Sequence, residues 1–425
     1  MIHDAACPAH LAPSPTTVER HGVFRTSARW TPDGVAQLVQ HLDTEGRRAL
    51  AGLSPDRLRE AWSKAVQRLM RPDSAESEAL RPALARFSGL SEAGLDAALA
   101  NVLGGVDRGA AAPLFAQAES MRQEGKIENG LVAIILAGNL PALAVQSLLP
   151  ALALGRPVLL KSPSSEPLFA PAFVRLLTRL EPELEAAIAA IAWRGGDTLL
   201  EAPVLDRATT VLVYGDQETV DSVEARACGR CVKYGPRTSL ALVDAESDLP
   251  TVAAGLVRDI CLFDQRGCLS IQAVYTDGDA GALATALAAE LEHRAREWPA
   301  GPLDPIAAAG VQQLRMEATT RGLHQPALPL ATGTVVVEPL PVFQPSPGLR
   351  TIRVHPVARL ADVPVSLEIW NGRLQGAALA GDRAWALESA LAALGISRCA
   401  APGSLQSPDA LWHNGGVHPL EALGN

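Results

Sequence analysis

Apolar positions change their spacing near residue 130. Before that point they recur at helical intervals: Leu58, Trp62, Val66 and Leu69 follow Ser54-Pro55, and Leu95, Leu99, Val102 and Leu103 follow Ser91 and stop at Gly104-Gly105. A serine hydroxyl accepts a hydrogen bond from a free N–H of the first turn, and proline fits that turn without needing its own, so Ser54-Pro55 predicts a helix start. From Gly130 the apolar residues come instead in short unbroken runs, at 131–136, 157–160, 188–193 and 209–214. Such runs are expected of parallel strands covered on both faces. Helical stretches at 141–154 and 167–180 separate them, and Gly215 opens another through Val220 and Val223. Strand, turn and helix in repetition predict a nucleotide-binding α/β layout, although no GxGxxG fingerprint is present.

A second α/β segment runs from about residue 244 to 394. It contains an apolar helical run at 252–263, a strand-like run at 271–276, a helix at 280–297 and strands at 334–338 and 351–355. Residues 296–330 are punctuated by Pro and Gly and read as surface loop. The domain division that follows is 1–125 as a helical N-terminal lead-in to the cofactor-binding domain, 126–245 as its nucleotide-binding core, 246–398 as a catalytic domain, and 399–425 as a C-terminal return segment.

Composition narrows the function classes. With 425 residues, the chain has room for two or three domains at ~150 residues each. A net charge of −9 and the absence of a Lys/Arg cluster argue against nucleic-acid binding. Residues 1–15 are polar and Pro-rich, unlike a signal peptide, and the apolar stretch 131–154 is broken by Gly138, Asn139, Pro141 and Pro150, unlike a membrane span. A cytoplasmic protein is expected. The six cysteines are irregularly spaced, so no disulfide framework follows, and the Cys228/Cys231 pair lacks further ligands for zinc.

The chemistry concentrates at Phe263-Asp264-Gln265-Arg266-Gly267-Cys268-Leu269-Ser270, where a thiol follows a glycine at a corner between helix and strand. There the thiolate can attack a carbonyl while free backbone N–H groups meet the developing oxyanion. Three further segments fit around it. Asn139, at a strand-to-helix turn, can donate its amide to that oxyanion or cap its helix. Lys161 and Ser164 follow a strand end, where a cofactor ribose or 2′-phosphate can be held. Gly215 opens a helix whose N-terminus can face a pyrophosphate. Thr219 and Tyr234 complete the candidate cofactor contacts.

In chain order these are AGNLP, GRPVLLKSPS, VLVYGDQETV, KYGP and DQRGCLS. That order resembles the aldehyde dehydrogenase superfamily and, within it, the acyl-CoA reductases of the bacterial bioluminescence (LuxC) type. The resemblance implies a Rossmann-type nucleotide-binding domain joined to an α/β catalytic domain. It also implies reduction of a fatty acyl-CoA or acyl carrier protein thioester to the aldehyde, through a Cys268 acyl-enzyme. The implied cofactor is NADPH, with NADH as the second choice, and superfamily habit implies a homo-oligomer. The resemblance further implies a glutamate at the nicotinamide ribose, for which Glu338 is the candidate. Two alternatives stay open: the reverse, CoA-acylating aldehyde oxidation, and non-redox acyl transfer through Cys268. Where hydrolytic members of the superfamily carry a glutamate base, this chain has Lys233, a poor base at neutral pH. Asp216 stands where a serine near the cofactor diphosphate is usual.

Overall fold

The computed structural model describes residues 2–424. Strands β1 (Ile2–His3), β2 (Pro15–Arg20) and β3 (Val23–Ala28) form a small sheet in the order β1-β3-β2, with β2 and β3 an antiparallel hairpin. This corrects the expectation of a wholly helical lead-in. The hairpin turns at His21 and Gly22, both at positive φ, as a two-residue hairpin loop requires. Its strands lack an apolar alternation because β2 is exposed along nearly its whole length.

Helices Pro55–Met70, Ala75–Ser88, Glu92–Gly104 and Arg108–Gln123 follow, capped by the side chains of Ser54, Ser74, Ser91 and Asp107. Strands β4 (Val132–Ile135), β5 (Val158–Ser162), β6 (Ile188–Ala192), β7 (Thr210–Tyr214) and β8 (Arg230–Tyr234) then build a parallel sheet in the order β6-β5-β4-β7-β8. The pleat divides its side chains between two cores. Val132, Ile134, Val158, Leu160 and Leu212 pack against the lead-in helices, while Ala133, Ile135, Leu159, Val211 and Val213 face helices Pro32–His41 and Thr198–Arg207. Burying each large side chain stabilises by about 1.5–3 kcal/mol. That double burial is why these strands read as unbroken apolar runs.

The chain passes to the second sheet through Gly235, Pro236 and Arg237 alone, so the change of sheet comes before residue 245. Strands β9 (Thr238–Val243), β10 (Ile271–Thr276), β11 (Thr334–Val337), β12 (Thr351–Pro356), β13 (Leu374–Ala380) and β14 (Arg398–Ala400) are parallel, in the order β11-β12-β10-β9-β13-β14. Register shifts interrupt β10 between Ile271 and Ala273, and β13 between Leu374 and Gly376. Bulges of this kind re-aim side chains beside functional sites.

Residues 296–330, expected as loop, contain the helix Pro305–Thr320, capped by Asp304. It buries only Val311, Leu314 and Ala318, too thin a stripe to stand out in sequence. Arg315 ties it to β11 by donating to Thr334 Oγ1 (2.8 Å) and to the Gly333 carbonyl (2.7 Å). The C-terminal segment returns to the first domain, where the Leu423 carbonyl accepts from Arg156 (2.7 Å) and Leu420 and Leu423 are buried. Among the described residues, no helix is long and apolar enough to cross a membrane.

Candidate active site

Strand order in the first sheet reverses between β4 and β7, the place where open parallel sheets form a binding crevice. A cleft of about 430 Å³ opens there. Ala137, Gly138 and Asn139 line it from the end of β4, and Tyr214, Gly215 and Asp216 from the end of β7. The turn at 265–269 forms the opposite wall, and Gln375, Trp412 and Asn414 contribute from the second sheet and the C-terminal segment.

The turn that presents Cys268 is strained and heavily tied. Helix Leu249–Cys261 ends in three consecutive left-handed residues, Phe263, Asp264 and Gln265, at φ 58°, 50° and 62°. Each such non-glycine residue costs ~1–3 kcal/mol and persists only where its surroundings fix it. Here Asp264 accepts from Arg350 Nε (3.0 Å) and Nη2 (2.6 Å) in the interior, and from the partly buried Gly301 N–H (3.0 Å). Gln265 donates to the carbonyls of Ile271 (2.8 Å) and Thr351 (2.7 Å) and accepts from the Thr351 N–H (2.8 Å). Leu349 and Arg350 are themselves left-handed, at φ 53° and 55°, so two strained loops brace each other. After the turn, the Gly267 N–H donates to Ser270 Oγ (3.1 Å), and the Cys268 carbonyl accepts from Ser239 Oγ (2.8 Å).

Cys268 is half-buried. Burial pushes its thiol up to about 11, against the pull of its own and Leu269's backbone N–H groups and of Arg237. Asn139, which lines the cleft, donates from Nδ2 to the Arg266 carbonyl (3.0 Å), and its second amide hydrogen has no protein acceptor among the described residues. Tyr214 and Tyr234 stack with ring centroids 4.4 Å apart, and the Tyr214 hydroxyl lies 2.7 Å from Ser147 Oγ. Burial raises both phenols, Tyr234 to about 12.

Cys268, Asn139, Gly215 and Tyr234 therefore share one cleft, and the other sequence candidates lie outside its lining. Thr219 packs under Gly215, where a Cβ on the glycine would come within 3.0 Å of it. Lys161 is buried at the end of β5, with Nζ 6.0 Å from the Trp193 ring centre and no hydrogen bond or ion pair among the described residues. Burial lowers its ammonium from the usual lysine range, partly opposed by Glu201. Ser164 is exposed and donates to the Trp193 carbonyl (3.2 Å). Glu338 is the clear exception: its buried carboxylate is paired with Arg353 and lies 3.7 Å from Arg321, so it faces the second sheet's own arginines. Asp216 turns back to cap helix Gln217–Glu224, accepting from the Thr219 N–H (2.8 Å), and that bond holds its carboxyl below the usual range. Lys233 is exposed and paired with Glu224 (2.7 Å). Sequence reasoning misses Arg237, Tyr214 and the Asp264–Arg350 pair, although each lies in or beside one of the motif segments.

The sequence model of the acyl-CoA reductase (LuxC) family matches residues 56–425. A long-chain acyl-protein thioester reductase from Aliivibrio fischeri is 26% identical over 240 residues, 55% of this chain and 50% of that protein. The chain thus spans about half the length of this relative. Aldehyde dehydrogenase 21 from Physcomitrella patens, solved with the reaction product succinate, superposes with a TM-score of 0.75 at 14% identity, covering 97% of this chain and 94% of that one. Methylmalonate-semialdehyde dehydrogenase (DddC) from Oceanimonas doudoroffii gives 0.76 at 13% identity, covering 99% and 96%. The fold is that of an aldehyde dehydrogenase.

Proposed function

Because this chain belongs to the acyl-CoA reductase (LuxC) family, we propose that it reduces an acyl thioester to the aldehyde with a reduced nicotinamide cofactor, through an acyl group carried on Cys268. The observation that carries this reading is the meeting of Cys268 and the Asn139 amide in one cleft, at the reversal of strand order. A fatty acyl-CoA or an acyl carrier protein thioester is the substrate class. The Cys268 thiolate attacks the thioester carbonyl; the new C–S bond to the protein forms, the C–S bond to the carrier breaks, and the carrier leaves with the electron pair and takes up a proton as its thiol. The free Asn139 amide hydrogen and the Cys268 backbone N–H donate to the oxygen as it becomes negative, and removing one such donor typically costs ~10²–10³-fold.

Water attack on the acyl-enzyme lacks a base. Lys233 is paired away on the surface, and the one carboxylate lining the cleft among the described residues, Asp216, is engaged by the Thr219 N–H. The acyl group therefore persists long enough to be reduced.

The chain fits a nucleotide at the ends of β4, β5 and β7. Among the described residues the Lys161 ammonium has no protein acceptor, and burial disfavours its charge, so a ligand oxygen meeting it would be stabilising. Lys161, Gly215, Thr219 and Tyr234 would hold the cofactor, and a bound reduced nicotinamide supplies the hydride. NADPH is favoured over NADH because Ser164 offers a hydroxyl where a carboxylate would repel a 2′-phosphate.

The test is a single-turnover assay of the wild type beside Cys268→Ala, with labelled palmitoyl-CoA added before NADPH. Expected are a covalent acyl label that NADPH discharges as aldehyde, and a variant with no label and a turnover at least about 10³-fold lower. A label that ignores NADPH and NADH alike would make the protein an acyltransferase. No label from acyl-CoAs or acyl carrier protein thioesters of several lengths would end the acyl-enzyme reading.

A further inference from the structure

The cleft holds one thiol and two guanidinium groups, and the two arginines are used differently. Arg266 donates to the carbonyls of Ser88 and Gly89 and lies 3.8 Å from Asp264, so the lead-in helices and its own turn account for it. Arg237 carries five N–H donors and makes a single hydrogen bond, to the Leu374 carbonyl at the long distance of 3.5 Å, with no ion pair among the described residues. It is half-buried at the crossing from β8 to β9, between Pro236 and the sheet-bound Thr238. The C-terminal segment closes over it: a Cβ at Gly415 would come within 3.4 Å of Nη2. A guanidinium so placed has donors to spare.

We propose that Arg237 supplies the positive charge that favours ionisation of the Cys268 sulfur to the attacking thiolate. The proposal rests on the reading of Cys268 as nucleophile. Ionisation leaves the electron pair on Sγ and releases the proton to solvent, so no neighbouring base is needed, and arginine takes no part as acceptor.

The other charged and titratable groups facing Cys268 are accounted for. Tyr214 and Tyr234, from the ends of β7 and β8, are kept neutral by burial. Asp216, at the mouth, is turned to Thr219. Arg266, on the same turn, is held by Ser88 and Gly89. Behind the turn, the Asp259 carboxylate is taken by the N–H groups of Gly403 (2.7 Å) and Gln406 (3.2 Å). Of the charges, Arg237 is the one that opposes the desolvation of the thiol.

The experiment follows Cys268 alkylation by iodoacetamide against pH, read by peptide mass spectrometry on the full chain. In Arg237→Gln the inflection should rise by about one unit, so that the rate at pH 8 falls about tenfold; Arg237→Lys should recover most of it. A folded Arg237→Gln variant whose profile overlays the wild type overturns the proposal. If Arg237→Gln loses the native circular dichroism, Gly415→Asp decides instead. It sets a carboxylate beside the guanidinium at a left-handed position that Asp tolerates, with Gly415→Asn as the neutral control. An upward shift in Asp but not Asn supports the proposal, and equal profiles overturn it. Iodoacetamide needs neither acyl-CoA nor cofactor, so a failed acylation assay would remove the reductase reading without deciding this one.

Discussion

Gln265, three residues before Cys268, is buried and held by three hydrogen bonds, whereas Lys161, equally buried at the end of β5, is held by none. The contrast extends to the walls around them. The wall around Cys268 carries left-handed residues at 263–265 and 349–350, a buried Asp264–Arg350 pair, and a braced Gly267–Ser270 turn. The side proposed to hold the cofactor carries an ammonium without a protein acceptor among the described residues, and a helix start whose exposed carboxylate faces its own backbone. Atoms that must meet a transition state are fixed in advance, because reorganisation during reaction would cost rate. Groups that meet a diffusible cofactor can remain unsatisfied until it arrives, and part of the binding energy then comes from relieving them.

The largest effect that can break this contrast is at Arg350. Its guanidinium is 1% exposed and donates twice to Asp264. Arg350→Met leaves that buried carboxylate with only the more distant Arg266, 3.8 Å away, as cation; breaking a buried pair typically costs about 3–5 kcal/mol. Urea denaturation should show the loss, and Cys268 acylation should slow as the left-handed turn relaxes. An unchanged midpoint would mean that the turn holds its own shape and that the wall around Cys268 is not braced from outside.

Lys161 should respond with opposite signs in two measurements. Lys161→Met keeps the length of the chain and removes a charge that burial disfavours and that has no protein hydrogen-bond partner among the described residues, so cofactor-free stability should hold or rise. The dissociation constant for NADPH should increase at least about tenfold, equivalent to about 1.4 kcal/mol. Denaturation melts and a fluorescence titration on the same preparation separate the two. If stability and affinity fell together, Lys161 would be a structural residue, and its side of the cleft would be tied into the fold as firmly as its neighbour.

Much of this is legible in the sequence because burial leaves a periodic trace. Strands β4, β5 and β7 are covered on both faces and show as apolar runs. The hairpin of β2 and β3 and the helix Pro305–Thr320 bury little, so their periodicity is faint and does not announce them. In the site, Cys268, Asn139, Gly215 and Tyr234 come from local turn and strand-end signals, and they do converge on one cleft. Glu338 is a candidate only for a glutamate that the family resemblance implies, and the partner that claims it, Arg353, lies in the neighbouring strand β12, invisible to local reading. The Asp264–Arg350 pair is hidden for the same reason: 86 residues separate its members, and only the packing of β10 beside β12 brings them together.

The finest adjustment of the comparison is at Asp216, where the side proposed to hold the cofactor presents a negative charge. Serine caps a helix about as well as aspartate, so Asp216→Ser should leave stability within a few tenths of a kcal/mol. Two like charges about 4 Å apart repel by about 4 kcal/mol at an effective dielectric of 20, but an exposed carboxylate turned toward the Thr219 N–H would express only a fraction of that. The expected gain in NADPH affinity is therefore a few-fold. Because salt screens an exposed charge, the gain should be larger at about 0.05 M than at about 0.5 M KCl. A tightening independent of salt would point to lost contacts rather than lost charge. Equal affinity at both salts would mean that the helix cap already removes Asp216 from the phosphates' path, leaving Lys161 as the dominant ionic contribution on that side.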